Sequence, residues 1–308
     1  MRDIIYRDRV TGELKKEKVY GKFFLEALYG SHFIAFFFSL TLLPLISHIP
    51  FFSNYYGKKQ KSKKSRLKIL PFIRDFQIDV DEFADPVESF FSFNDFFIRK
   101  LKPESRPIIL DPNVAVLPAD GRYLVFQNIG ESDGFYVKGK QFDLCHLLDD
   151  INLFDAYKNG SMVIARLCPT DYHRYHFPCS ATAGKAKLIN GPLFSVNPLA
   201  LKKHISILSE NKRMITPLET EDFGRVLYIE VGATCVGSIK HTFTPHQLYQ
   251  KGDEKGYFEF GGSCLILLFE PNRIQFDQDL IDASKEHIET YAKMGESLGH
   301  VPKLSISP

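Results

Sequence analysis

From Ile69 onward the apolar stretches have the length of strands: Val114–Leu117, Tyr123–Phe126, Met162–Leu167, Val226–Val231 and Cys264–Phe269. Turn residues bound them, as in Pro118–Gly121, Asn190–Pro192 and Lys251–Gly252. Short runs punctuated in this way favour sheet over helix. Helical spacing is confined to Asp95–Leu101, Phe142–Leu147 and Asp282–Met294, the last with Gly295 and Gly299 placed to stop it. The expected class is α+β, with a β-rich core of sandwich-like or barrel-like sheets. There is no fixed-period repeat, Rossmann glycine fingerprint, P-loop or G-x-S-x-G elbow.

The N-terminal part has a different texture. Between Ala27 and Gly57 there is no Asp, Glu, Lys or Arg, and the centre carries Phe33, Phe36, Phe37 and Phe38. A spanning helix needs ~20 apolar residues. Pro44 and Pro50 break this one, and His32 and His48 shorten its apolar core. Basic residues flank both sides, so no orientation across a bilayer is encoded. The favoured reading is a helical hairpin lying in or dipping into the membrane interface; an ordinary buried helix and a true span are the other two. Lys58, Lys59, Lys61, Lys63, Lys64, Arg66 and Lys68 follow directly. Beside a Phe-rich segment they supply a second signal for attachment to an anionic bilayer, each contributing roughly 1 kcal/mol near the surface. Residues 1–68 are expected to form a helical membrane-docking region and residues 69–308 a catalytic domain. The chain is then attached peripherally or interfacially, on the cytoplasmic side.

Apolar residues at 44% and charged residues at 25% exclude a disordered, collagenous or polytopic membrane chain. A net charge of +2 gives no global field for nucleic acid, and the basic run lacks interleaved aromatic residues. Cys145, Cys168, Cys179, Cys235 and Cys264 are scattered and form no C-x-x-C pair, which argues against a disulfide framework or structural zinc and for a reducing compartment. The first eighteen residues are strongly charged, and no small-residue cleavage site follows, so the N-terminus is expected to stay on the mature chain.

The chemistry is concentrated at Gly261-Gly262-Ser263, between Lys251-Gly252-Asp253-Glu254 and the apolar run from Cys264. Paired glycines permit a strained backbone and leave the Gly262 carbonyl unshielded from a neighbouring hydroxyl. The same letters also spell a hairpin turn into a strand.

Five blocks in order carry a resemblance. They are Phe93-Asn94-Asp95-Phe96-Phe97-Ile98-Arg99-Lys100-Leu101-Lys102-Pro103 running on to Arg106-Pro107-Ile108; Pro118-Ala119-Asp120-Gly121; Asp171-Tyr172-His173-Arg174-Tyr175-His176-Phe177-Pro178; Gly191-Pro192-Leu193-Phe194-Ser195-Val196-Asn197-Pro198; and the Gly-Gly-Ser block. Together they resemble the self-cleaving, pyruvoyl-dependent phosphatidylserine decarboxylase family over roughly residues 66–299. The resemblance implies a proenzyme cut between Gly262 and Ser263 into a large (β) chain, 1–262, and a small (α) chain, 263–308, of 46 residues. It implies that Asp120, His176 and Ser263 act together in the cut, because a hydroxyl needs an imidazole to take its proton and a carboxylate to hold that imidazole. Ser263 then becomes the pyruvoyl cofactor, which accepts electrons as carbon dioxide leaves phosphatidylserine to give phosphatidylethanolamine. His173 is implied to handle the proton returned to the substrate carbon. Phosphatidylserine, an anionic membrane surface and the two chains of one proenzyme are the expected partners, with a homodimer admitted and no nucleic acid.

His176 follows His173 by three positions, which puts them on one face of a helix but on opposite faces of a strand. Without the resemblance the pair is structural or supplies two metal ligands; a third ligand at zinc spacing is missing, and no metal is expected. Cys264 stands where the family usually has Thr or Ser, and its place at the head of an apolar run marks a buried, inert thiol. Two other readings are a Ser-His-Asp lipid hydrolase without self-cleavage and a non-catalytic lipid-binding protein.

Overall fold

The run from Ser263 to Phe269 is a strand buried along its whole length, and its alternation shows why. Leu265, Leu267 and Phe269 enter one apolar cluster while Cys264, Ile266 and Leu268 enter another. The neighbouring strands divide in the same way: Val226 and Tyr228 against Leu227, Ile229 and Val231, and Val163 and Ala165 against Met162 and Ile164. A continuous apolar run is what a strand covered on both faces requires. Each fully buried Leu or Ile contributes about 1.5–3 kcal/mol of transfer energy to the two layers.

The computed structural model describes residues 4–18, 50–131, 136–137, 140–141, 143–201, 206–233, 239–261 and 263–303. Most of the charge-free segment expected to dock on a membrane, and Gly262, lie outside the described residues. The first ten strands are β1 Ile5–Asp8, β2 Leu14–Lys16, β3 Val114–Val116, β4 Gly121–Phe126, β5 Tyr136–Val137, β6 Lys140–Gln141, β7 Ser161–Leu167, β8 Arg174–His176, β9 Ala181–Ala183 and β10 Lys187–Ile189. The others are β11 Arg213–Glu219, β12 Arg225–Gly232, β13 Ile239–His241, β14 Leu248–Tyr249, β15 Glu254–Phe258, β16 Ser263–Phe269, β17 Gln275–Phe276, β18 Glu289–Ala292 and β19 Ser297–His300. An 11-stranded sheet runs β14-β9-β11-β12-β16-β7-β4-β18-β1-β2, with β10 on β11. Smaller sheets are β13-β15-β8, β17-β19-β3 and β5-β6. The α+β, sheet-rich expectation holds.

Helices are short, and their limits differ from the sequence reading. Helix Phe93–Phe97 is capped by Ser92, whose side chain accepts from the Asp95 N–H. Helix Leu144–Leu148 is capped by Asp143. The stretch Asp282–Met294 is not one helix: Gln278–Lys285 is helical, His287 takes φ 57°, and Glu289–Ala292 is β18. Thr290 and Tyr291 fit a strand held between β1 and β4 better than a helix interior. Among the described residues no helix is long and apolar enough to cross a membrane.

The phenylalanine bias has a structural use. Phe72, Phe83, Phe90, Phe93, Phe96, Phe97 and Phe260 form a third cluster. It joins the helices flanking the basic run, Pro50–Gln60 and Ile69–Phe76, to the loop that precedes β16. Phe260 packs at 5.2 Å from Phe93 and 4.9 Å from Phe97, ring centre to ring centre.

Candidate active site

β16 begins at Ser263, which pairs with Leu167 on one side and Gly232 on the other and has no exposed surface. The chain leaving β7 turns at Cys168–Asp171 and brings His173 beneath the head of β16. His173 Nδ1 is 3.3 Å from Ser263 Oγ, and Nε2 is 2.8 Å from the Cys168 carbonyl. A carbonyl can only accept, so Nε2 carries the hydrogen and the Nδ1 lone pair is left to accept from the serine hydroxyl. The ring stacks on Phe97, with 3.9 Å between centres. Burial pushes the imidazole down to about 3; the Cys168 bond works the other way, and the Arg99 cation acts with burial. His173 is therefore neutral at pH 7, as a proton acceptor must be.

The approach to the glycine pair is held from several directions. Phe258 N–H donates to the His173 carbonyl at 3.0 Å, and Phe260 N–H donates to Asn94 Oδ1 at 2.9 Å. Glu259 pairs with Lys61 of the basic run at 2.6 Å. Gly261 adopts φ 145°, a conformation that a side chain disfavours.

His176 is elsewhere. It ends β8, its Nδ1 donates to the Gly252 carbonyl at 2.9 Å, and its Nε2 therefore accepts from Tyr172 Oη at 3.3 Å. Burial lowers its pKa. Asp120, 2% exposed, accepts from Arg106 Nε at 2.9 Å, from Arg106 Nη2 at 2.6 Å and from Met294 N–H at 2.9 Å. Arg106 also reaches Glu82 at 2.9 Å. Among the described residues the hydrogen bonds of Asp120 go to these groups and not to an imidazole. The structure thus brings together Ser263 and His173, while the expected alignment of Asp120, His176 and Ser263 is not made in this arrangement. The extended geometry of β8 separates the two histidines, the outcome that their spacing left open.

Asn94, Phe97, Arg106 and the arginines Arg122 and Arg166 were not singled out as site residues in the sequence. The first three lie inside a motif block, and an arginine within the apolar run Met162–Leu167 is a readable sign of a buried counter-ion. Cys264 is fully buried, and its pKa is raised by that burial, so it is no rival nucleophile. Among the described residues no group of three His, Cys, Asp or Glu is arranged to hold a metal ion.

A model of the family described as phosphatidylserine decarboxylase matches residues 93–300. The chain belongs to the phosphatidylserine decarboxylase family. It is 54% identical to a phosphatidylserine decarboxylase proenzyme of Chlamydia pneumoniae over 254 residues, covering 82% of this chain and 84% of that one. It is 48% identical to the proenzyme so named in Chlamydia muridarum over 301 residues, 96% and 97% of the two chains. With the proenzyme of Chlamydia trachomatis serovar D it shares 43% identity over 298 residues, 97% of each. The region matched by the decarboxylase family contains Asn94, Asp120, His173, His176 and Ser263.

Proposed function

We propose that this chain is a proenzyme that cuts itself between Gly262 and Ser263 and then decarboxylates phosphatidylserine to phosphatidylethanolamine through a pyruvoyl group made from Ser263. The observation that carries the reading is the Ser263 hydroxyl, buried at the head of a central strand and 3.3 Å from a neutral imidazole nitrogen. As Oγ attacks the Gly262 carbonyl carbon, its proton passes to His173 Nδ1. The Gly262–Ser263 peptide bond breaks, the proton moves on to the freed amine, and an ester joins the two chains. Loss of the Ser263 Cα proton then expels the Gly262 carboxylate to leave dehydroalanine, whose imine tautomer takes up water and releases ammonia to give the ketone. A keto group at this position fits the site, since residue 263 has no exposed surface and is held between Leu167 and Gly232 of the two neighbouring strands. When present, the pyruvoyl group supplies the electron sink for the departing carbon dioxide. Among the described residues His173 is the imidazole in contact with that position and would hold the proton returned to the substrate. The family resemblance favours a second assignment, with His176 and Asp120 serving the cut and His173 only the decarboxylation.

Intact-mass analysis of freshly purified protein tests the reading. A small chain beginning at residue 263 with a keto terminus is expected, and Ser263→Ala should stay whole. An intact wild-type chain in folded protein overturns it in favour of a hydrolase or binding protein. His173→Ala blocking the cut while His176→Ala is processed supports the first assignment; the converse supports the second.

Docking to an anionic bilayer on the cytoplasmic side belongs to the same proposal. Its support is the basic run beside Leu67 and Leu70, which are 83% and 67% exposed, and the Lys61–Glu259 pair that ties this run to the loop before Ser263. Vesicles of phosphatidylcholine with phosphatidylserine should bind the protein in a salt-sensitive way, and Leu67→Asp/Leu70→Asp should weaken binding. Equal binding to vesicles lacking phosphatidylserine removes the electrostatic part.

A further inference from the structure

Arg122 on β4 and Arg166 on β7 are direct cross-strand partners, two cations side by side in a buried sheet. Like charges so placed repel and need counter-ions. Glu17, whose side chain is 3% exposed, sits between them, 2.6 Å from Arg166 Nη2 and 3.2 Å from Arg122 Nε. Burial works against its charge, yet Arg166 and then Arg122 hold its pKa below the ordinary glutamate value. The β1–β2 hairpin delivers this carboxylate. β1 pairs in parallel with β18, and Tyr6 sets its ring 5.0 Å from the Arg122 guanidinium.

The other ends of the two arginines lead toward Ser263. Arg122 pairs with Asp171. Asp171 Oδ2 also accepts the Cys168 N–H at 2.7 Å, and the Cys168 carbonyl accepts from His173 Nε2. Arg166 Nη1 donates to Cys168 Sγ at 2.8 Å. Arg166 also pairs with Glu289 at 2.6 Å, and the turn that fixes the His173 tautomer is therefore gripped by both cations that Glu17 bridges.

We propose that Glu17 is a positioning residue of the active site. By bridging Arg122 and Arg166 it keeps Asp171 on the Cys168 amide, the Cys168 carbonyl on His173 Nε2, and hence Nδ1 toward Ser263. The proposal rests on the reading that Ser263 is the cleaving nucleophile and His173 its base. With the Glu17 charge removed, Arg122 keeps Asp171 and Arg166 keeps Glu289, but the bridge that holds the two guanidinium groups together against their repulsion is lost, the turn shifts and the imidazole loses its aim.

The test follows conversion of full-length chain to its two products after pulsed cell-free synthesis. Glu17→Gln should cleave slower by about tenfold or more, since small misplacements of a reacting group are costly in rate. Arg9→Ala is the control. It removes the 2.8 Å pairs to Asp277 and Asp279 that anchor the same hairpin away from Arg122 and Arg166. It should lower the melting temperature yet cleave within about twofold of the parent, well below the loss expected from misaimed chemistry. In a Ser263→Ala background with labelled histidine, the nitrogen spectrum should show His173 as the Nε2–H tautomer, and Glu17→Gln should disturb that signal while Arg9→Ala should not. Parental cleavage in Glu17→Gln, or an effect that matches Arg9→Ala with the tautomer signal unmoved, overturns the proposal. Should Glu17→Gln fail to fold, Glu17→Asp decides: it keeps the charge but not the reach, and parental cleavage by it is equally fatal. Failure of the underlying reading looks different: Ser263→Ala would then be cleaved, the wild type would remain whole, or His173→Ala would be processed while His176→Ala would not.

Discussion

The neutrality of His173 has a measurable thermodynamic consequence. Its imidazole is pushed down to about 3 in the folded chain, against an unfolded value of about 6.5. Between these values the unfolded state binds a proton that the native state refuses, so the stability tied to this group is complete above about pH 6.5 and is lost as the pH falls toward 3. From about pH 7.5 to about pH 5 the loss is 2.303RT times roughly 1.5 units, or about 2 kcal/mol, before the native group begins to titrate. The perturbation is His173→Asn in a Ser263→Ala background, which keeps the chain in one piece. Urea unfolding at the two pH values should show the parent losing about 2 kcal/mol more than the Asn variant. Other titrating groups, His176 among them, are common to both proteins and drop out of the difference. If the two proteins respond to acid within about 0.5 kcal/mol of each other, His173 is not a desolvated neutral base, and the account of how Ser263 is activated fails with it.

Three further outcomes are expected. Asn94→Ala leaves the buried Phe260 N–H without its acceptor, which should cost about 1–3 kcal/mol in chemical denaturation and slow self-cleavage, whereas Asn94→Asp keeps the acceptor and should cleave faster than Ala. Lys255 and Glu230 form a fully buried ion pair roofed by the rings of Tyr228 and Phe243; Lys255→Met should destabilise by about 3–5 kcal/mol, and adding Glu230→Gln should recover part of that loss in the same unfolding assay. Gly256→Ala would set a Cβ 2.2 Å from the Lys240 carbonyl and 2.6 Å from Tyr175 Oη, so a lowered melting temperature by thermal shift is expected.

The strands that seat Ser263 were legible because β7, β12 and β16 are largely apolar on both faces and so appear as near-continuous runs, broken in Met162–Leu167 and Val226–Val231 by Arg166 and Glu230 alone. The ordered motifs contain Asn94, Asp120, His173, His176 and Ser263, of which the structure brings His173 and Ser263 together. What the sequence does not carry is partner choice at a distance. Glu17 stands among charged neighbours and resembles part of a solvated tail, yet its partner Arg166 is 149 positions away. The two histidines differ for a similar reason. Their partners, Cys168, Gly252, Tyr172 and Ser263, come from several elements, so three-residue spacing alone does not say which imidazole meets the hydroxyl. The C-terminal stretch misled because Asp282–Met294 has helical spacing, while the pairing of Thr290 and Tyr291 with β4 and of Glu289 with β1 decides the outcome.

Of the four strands after Gly262 among the described residues, two are threaded between strands from before it, β16 between β12 and β7 and β18 between β4 and β1, while β19 pairs with β3 and carries β17 on its far side. A cut at Ser263 therefore changes the covalent count without creating a subunit that can leave. Diluting the mature protein should not separate its chains, because releasing the small one means opening the large sheet in two places. The same threading makes maturation a one-way passage. The precursor finds its strand order as a single chain, where loop closure is intramolecular. Once cut and unfolded, the small chain would have to re-enter two interior slots by collision. The mature protein should then owe its lifetime to a slow rate of opening, and heat that merely melts the uncut Ser263→Ala precursor should retire the processed form for good.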